Sequence, residues 1–75
     1  MSMLYSRTSQ LPEKVKENLP SEAQEIYRVA VNSYWEELSF LPVDEREVAA
    51  HTAAWSTVEK KYRKDRSGKW KLLGQ

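Results

Sequence analysis

Apolar residues in the second half of the chain return at helical intervals. Val48, His51, Trp55, Val58 and Tyr62 follow one another at steps of three and four, which stacks them on one face of a helix. The polar residues around them mark its ends. Asp44 stands where a capping side chain accepts from an amide of the first turn, and Glu47 is placed to reach back, a capping-box pattern. Glu45 and Glu47 fall in the first turn, and Lys60, Lys61, Arg63 and Lys64 in the last, as the helix dipole favours. A long helix over 44–64 is predicted. Ala49, Ala50, Ala53 and Ala54 raise its propensity and admit close approach of another backbone.

Upstream, Leu11-Pro12 and Leu19-Pro20 punctuate the chain. Proline suits a helix start because its missing N–H would go unpaired there. Pro12 therefore opens a short helix over 12–17, with Val15 and Leu19 turned inward and Asn18 as its stop. Pro20 opens a second helix over 21–38. Its positions Ala23, Ile26, Tyr27, Ala30, Tyr34 and Leu38 keep helical spacing, and Val29, Val31 and Trp35 widen the stripe. A helix that apolar needs cover on more than one side. The expected contact sets Ile26, Tyr27, Ala30 and Tyr34 against Val48, Ala54, Trp55 and Val58. Pro42 disfavours helical geometry at Leu41, so 39–43 is a connection, with Phe40 and Leu41 expected to fold back on the core.

After the third helix, Asp65-Arg66-Ser67-Gly68 reads as a turn, with Gly68 free to take positive φ. Lys69–Leu73 is then either a short strand or an extended tail anchored by Trp70. As a strand, its expected partner is the arm around Met3–Tyr5, which would make a minor two-stranded β patch between the termini. The fold class that emerges is mainly α: a small, irregular three-helix bundle with an extended C-terminal tail. Residues 1–10 are expected to form a flexible N-terminal arm, with Leu4 and Tyr5 able to dock, and 11–73 a single helical domain.

Composition sharpens this. At 75 residues without cysteine, the chain buries a thin core and has no disulfide to reinforce it. Its single histidine cannot build the usual zinc cage. Packing must suffice, and the eight aromatic rings are the means. No apolar run reaches membrane-span length and the N-terminus lacks the build of a secretory signal, so a cytoplasmic location is expected. The net charge of +1 hides an asymmetry. Residues 60–71 hold seven bases and one acid, a local +6, and the remainder sums to −5.

Chemistry is sparse. His51 on the inward stripe, near Glu47, lacks the convergent nucleophile, oxyanion site or further ligands that catalysis or metal binding requires. A half-buried histidine bonded to a backbone group or a carboxylate is the expected outcome. Two glycines make neither a Walker loop nor a dinucleotide fingerprint. Glu36-Glu37 and Asp44/Glu45/Glu47 lack the ligand alternation of a calcium loop. No enzyme, metal, cofactor or small-molecule substrate is expected. What remains is Lys60, Lys61, Arg63, Lys64, Arg66, Lys69 and Lys71, interleaved with Tyr62 and Trp70. That mixture suits an acidic protein patch, nucleic acid or an anionic membrane surface, and equally a solvated helix end.

Taken together, Leu11-Pro12, Val15, Leu19-Pro20, Ala23-Gln24-Glu25-Ile26-Tyr27, Ala30, Asn32 and Trp35, then Glu47, Ala50-His51, Ala54-Trp55, Val58, Tyr62 and Gly68-Lys69-Trp70 resemble the ChaB family of small bacterial proteins. Val31 stands where that pattern prefers phenylalanine, and Tyr34 where it prefers alanine. The resemblance implies a mostly helical fold with no catalytic or metal residues to carry over. It also implies a role in regulating cation transport, an assignment that rests on a neighbouring gene for a sodium/calcium–proton antiporter. The expected function is thus a small non-enzymatic regulator or adaptor. It would bind a protein partner, the antiporter's cytoplasmic face, through the seven cations. The alternative is a nucleic-acid-binding accessory protein using the same segment.

Overall fold

Three Leu-Pro pairs, Leu11-Pro12, Leu19-Pro20 and Leu41-Pro42, set where the helices begin. Each proline is an N-cap with φ near that of its ring (−55°, −66° and −57°). Their carbonyls accept the first helical bonds, from the N–H of Lys16 (3.1 Å), Gln24 (2.9 Å) and Arg46 (2.8 Å). A proline loses nothing at such a place, because an N–H there would find no partner within the helix. In the computed structural model, which describes residues 4–73, a 3-10 turn at Thr8–Gln10 leads into α1 (Glu13–Asn18), α2 (Ser21–Glu37) and α3 (Val43–Glu59). An antiparallel hairpin of β1 (Tyr62–Lys64) and β2 (Trp70–Leu72) follows. The mainly α architecture with a small two-stranded sheet is the one expected.

Several local expectations are corrected. The third helix opens at Val43, capped by Pro42 and not by Asp44, whose carboxylate sits in the first turn. It ends at Glu59, short of 64. Prolonging it would stack Lys60 with Arg63 and Lys64, and Lys61 with Lys64, at the three- and four-residue spacings where like charges repel. Strand geometry separates them instead. The second correction concerns the β partner. Trp70–Leu72 pairs with Tyr62–Lys64 in the register Tyr62↔Leu72, Arg63↔Lys71 and Lys64↔Trp70, not with the N-terminal arm. A local hairpin closes a far shorter loop than a pairing of the termini. Met3 lies outside the described residues, and Tyr5 is engaged elsewhere.

The core is Leu11, Val15, Leu19, Ala23, Tyr27, Ala30, Val31, Ala50, Ala54, Val58 and Tyr62. Along α3 the inward seam is Ala50–Ala54–Val58, every fourth residue, and its small side chains let α2 come close. Val48, expected inside, is 67% exposed, since it lies roughly 200° around the helix from Ala50. Tyr27, Ala30, Ala54 and Val58 meet as predicted, flanked by half-buried Ile26, Tyr34, Trp35, Trp55 and Trp70. Phe40 does not fold back. It stands at the apex of the α2–α3 turn, closed by the Leu41 N–H on the Leu38 carbonyl (3.0 Å), and is 76% exposed.

Polar ties join the elements. Asn32 clips the arm at both faces of one residue: its Oδ1 accepts from the Tyr5 N–H (2.9 Å) and its Nδ2 donates to the Tyr5 carbonyl (2.8 Å). Arg46 donates from Nε to the Trp35 carbonyl (2.7 Å), and its guanidinium lies 3.9 Å above the Trp35 indole. One side chain thereby satisfies a carbonyl near the end of α2 and adds a cation–π contact. Among the described residues, no buried side-chain nitrogen or oxygen lacks a hydrogen-bond partner.

Candidate functional site

The seven cations singled out from the sequence gather on and beside the hairpin. Lys60 and Lys61 form the turn after α3, Arg63 and Lys64 lie in β1, Arg66 in the connecting turn, Lys69 before β2 and Lys71 within it; all are exposed. Alternation along the strands explains the outward display of Arg63 and Lys71, while Lys64, opposite Trp70, is exposed at the end of its strand. Tyr62 and Trp70 turn to the body, where Tyr62 is buried and Trp70 packs against Trp55 with ring centroids 5.7 Å apart. Arg63 and Lys71, directly opposite each other in the register, therefore occupy the other face. Like charges so placed destabilise a hairpin.

One carboxylate offsets that repulsion in part, on the Lys71 side alone. Asp65 Oδ1 accepts from the Ser67 hydroxyl (2.7 Å), the Ser67 N–H (2.9 Å) and the Lys69 N–H (3.0 Å), and Oδ2 lies 3.4 Å from Lys71 Nζ. Its own N–H donates to the Lys69 carbonyl (2.8 Å), and its carbonyl accepts from Gly68 (3.0 Å), which takes φ +89°. That dihedral suits glycine and strains other residues. The Ser67 hydroxyl, then the Lys69 amide, hold the Asp65 carboxyl well below the usual carboxylate range. A further bond from the Leu73 N–H to the Lys61 carbonyl (2.7 Å) extends the ladder. The other six cations make no ion pair with any described residue.

The hairpin borders an open depression of about 520 Å³, lined by Pro20, Ser21, Glu22, Tyr62, Trp70, Lys71 and Leu72. Tyr62 donates from its hydroxyl to Glu22 (3.3 Å), which ties β1 to the start of α2. The sequence showed the cations and the turn. It did not show that Asp65 organises the display, although an acid two residues before serine and three before glycine is a recognisable side-chain-to-backbone turn pattern.

His51 is half-buried, as expected, but its partners are neither a backbone group nor a carboxylate. Nε2 meets the Tyr5 hydroxyl at 3.2 Å and Nδ1 the Tyr27 hydroxyl at 2.5 Å. A neutral imidazole has one N–H and one lone pair, so one phenol donates and the other accepts. Burial pushes the His51 pKa down, with Glu47 opposing. Burial pushes both phenols up, by a wide margin at Tyr27. The group joins the arm, α2 and α3 across stretches no periodicity could connect. Beside it lies an open depression bounded by Asp44, Glu47, Val48, His51, Thr52 and Trp55. Among the described residues, no three His, Cys, Asp or Glu side chains could hold a metal ion together. No described helix is long and apolar enough to cross a membrane.

Comparison with known proteins places the whole arrangement. A family model described as ChaB matches residues 11–72. Proteins named "Putative cation transport regulator ChaB" from Escherichia coli (strain K12) and Shigella flexneri are each 42% identical over 72 residues, covering 91% of this chain and 95% of their own. A solved structure described as the "NMR solution structure of the putative cation transport regulator ChaB" superposes with a TM-score of 0.84 at 39% identity, covering 93% of this chain and 99% of that one.

Proposed function

The chain belongs to the ChaB family, and from that premise we propose that it is a non-enzymatic regulator that acts in the cytoplasm by docking its basic hairpin on an acidic stretch of a protein partner. The partner proposed is the cytoplasmic face of a cation/proton antiporter. One observation carries this reading: Arg63 and Lys71 stand opposite each other on the outer face of a hairpin, at a cost in local stability. A hairpin built only to close the fold would do better with opposite charges there. An acidic partner relieves the repulsion, and binding recovers what folding gave up. The names of the relatives supply the regulatory context.

The test is a calorimetric titration of the full chain with peptides from the antiporter's cytoplasmic loops, in low and high salt. Binding should be saturable, weaken as salt rises, and disappear on reversing Arg63 and Lys71 to glutamate. Absence of heat and of capture on immobilised peptides at high micromolar concentration retires the partner. Binding to DNA or RNA in place of the peptides, falling steeply with salt and with neutralisation of Lys60, Lys61, Arg63 and Lys64, replaces the reading with a nucleic-acid one.

A further inference from the structure

The α2–α3 turn exposes a hydrophobic point that the fold does not use. Phe40 is 76% and Val43 62% exposed, and neither belongs to the hydrophobic core or to the half-buried residues packed against it. Around them stands a collar of exposed carboxylates: Glu36 and Glu37 on the last turn of α2, Asp44 and Glu45 on the first turn of α3. None of these four is in an ion pair with a described residue. The cation nearest in sequence, Arg46, is turned onto the Trp35 indole. An apolar point ringed by acids fits an apolar hollow with bases beside it.

The same molecule carries such a hollow. Pro20, Tyr62, Trp70 and Leu72 give the depression beside the hairpin its apolar wall and Lys71 its positive charge, with Lys64 adjoining opposite Trp70; Ser21 and Glu22 complete the lining, the Glu22 carboxylate accepting from the Tyr62 hydroxyl. The two features lie at opposite ends. The hollow includes the first residues of α2, the turn follows its last, and a 17-residue helix separates them by about 25 Å. A given copy cannot bring its own turn to its own hollow.

We propose that the Phe40 turn of one copy docks in the hairpin hollow of a second copy, the carboxylate collar meeting the cations across the contact. The interaction joins a turn to a hollow, so a pair held by one contact still presents a free turn and a free hollow and either closes reciprocally or adds further copies. One ring and its polar surround make a small contact, so association is weak and salt-sensitive. This shares the hairpin with the function proposed above without depending on it, and makes the second copy a competitor for the acidic partner.

Sedimentation of the full chain across a concentration series, in low and high salt, tests the idea with two altered chains. The unaltered protein should sediment faster as concentration rises, and salt should reverse the trend. Phe40→Ser alone, and Arg63→Glu with Lys71→Glu alone, should each remain monomeric with unchanged helical circular dichroism, since all three positions are exposed. Mixed in equal amounts, they should form a one-to-one dimer and nothing larger, because one chain retains the turn and the other the hollow. A monomer at every concentration, or a mixture that stays monomeric while the unaltered chain associates, overturns the proposal. Phe40→Ser should still bind the acidic loop peptide, so failure of self-association and failure of the antiporter reading are read separately.

Discussion

The helical body and the C-terminal hairpin solve the problem of polar groups in opposite ways. In the body, half-buried polar side chains are answered across elements: Asn32 holds the arm, Arg46 covers the Trp35 carbonyl, and two phenols occupy both nitrogens of His51. In the hairpin, one carboxylate organises the turn, and six cations have no ionic partner among the described residues. The body therefore keeps its stability in contacts that face inward. The hairpin keeps a single device inward and spends the rest of its surface on charge. Alterations in the first should register as stability, and in the second as recognition.

The largest effect should come from Tyr27→Ala. This ring is fully buried and lies against both His51 and Trp55, with centroids 5.6 and 5.2 Å away. Its loss should cost about 3–5 kcal/mol, a large part of the ~5–15 kcal/mol that holds a native protein together; urea denaturation followed by circular dichroism measures it. Trp55→Ala, at a half-buried ring touching both Tyr27 and Trp70, should cost less than Tyr27→Ala and also loosen the hairpin. If Trp55→Ala left hairpin amide exchange unchanged, the two regions would be more separate than their ring contact implies.

Next in size is Asp65→Ala, which removes the acceptor for Ser67 and Lys69 and the counter-charge of Lys71 together. Amide exchange at Leu73, whose N–H closes on Lys61, should speed up markedly while α2 and α3 amides keep their protection. A parallel loss of helix protection would show that the body leans on the hairpin.

Acidification should separate the regions further. Burial places the folded pKa of His51 below its ordinary 6.5, so the unfolded chain binds the proton more readily. The body's stability is then complete above about pH 6.5 and declines as pH falls from there toward the folded value. Glu47 works against this, and Tyr5 and Tyr27, the other groups facing the ring, stay protonated throughout. Asp65 is depressed from an ordinary 3.8, so its contribution is present above that value and fades only as pH falls below it. Thermal melts from pH 7 to pH 4 should therefore show the body weakening before the hairpin turn, with the slope near pH 6 abolished in His51→Phe. The smallest effect is Lys60→Ala or Arg66→Ala, within about 0.5 kcal/mol in stability but measurable in peptide binding.

Much of the body could be read from sequence because its signals are local. Leu-Pro pairs start helices by covalent geometry, Asn18 ends α1, and Asp65 to Gly68 turns the chain with the positive φ expected. The misplacements arose where local and tertiary preferences diverge. Counting apolar bulk put Val48 on the core seam, whereas close approach of α2 selected the small Ala50. Helical spacing carried α3 through Tyr62, but charge repulsion among the lysines and a partner strand six to ten residues downstream took Tyr62–Lys64 into a hairpin. The cations of the candidate site were plain in the composition. Their arrangement was not, because it depends on which faces Tyr62 and Trp70 turn inward, and the Tyr5–His51–Tyr27 group depends on contacts 24 and 46 residues apart in the chain.

The central claim, that recognition resides in the hairpin while the helical body stays unmoved, is tested most directly by nitrogen–proton correlation spectra of the full chain titrated with an acidic loop peptide. Shift changes should concentrate at residues 60–72 and the Trp70 indole, vanish in high salt, and leave amides across 21–58 in place. Changes centred on the exposed face of α3 at Asp44, Glu47, Val48 and His51, with the hairpin silent, would contradict it.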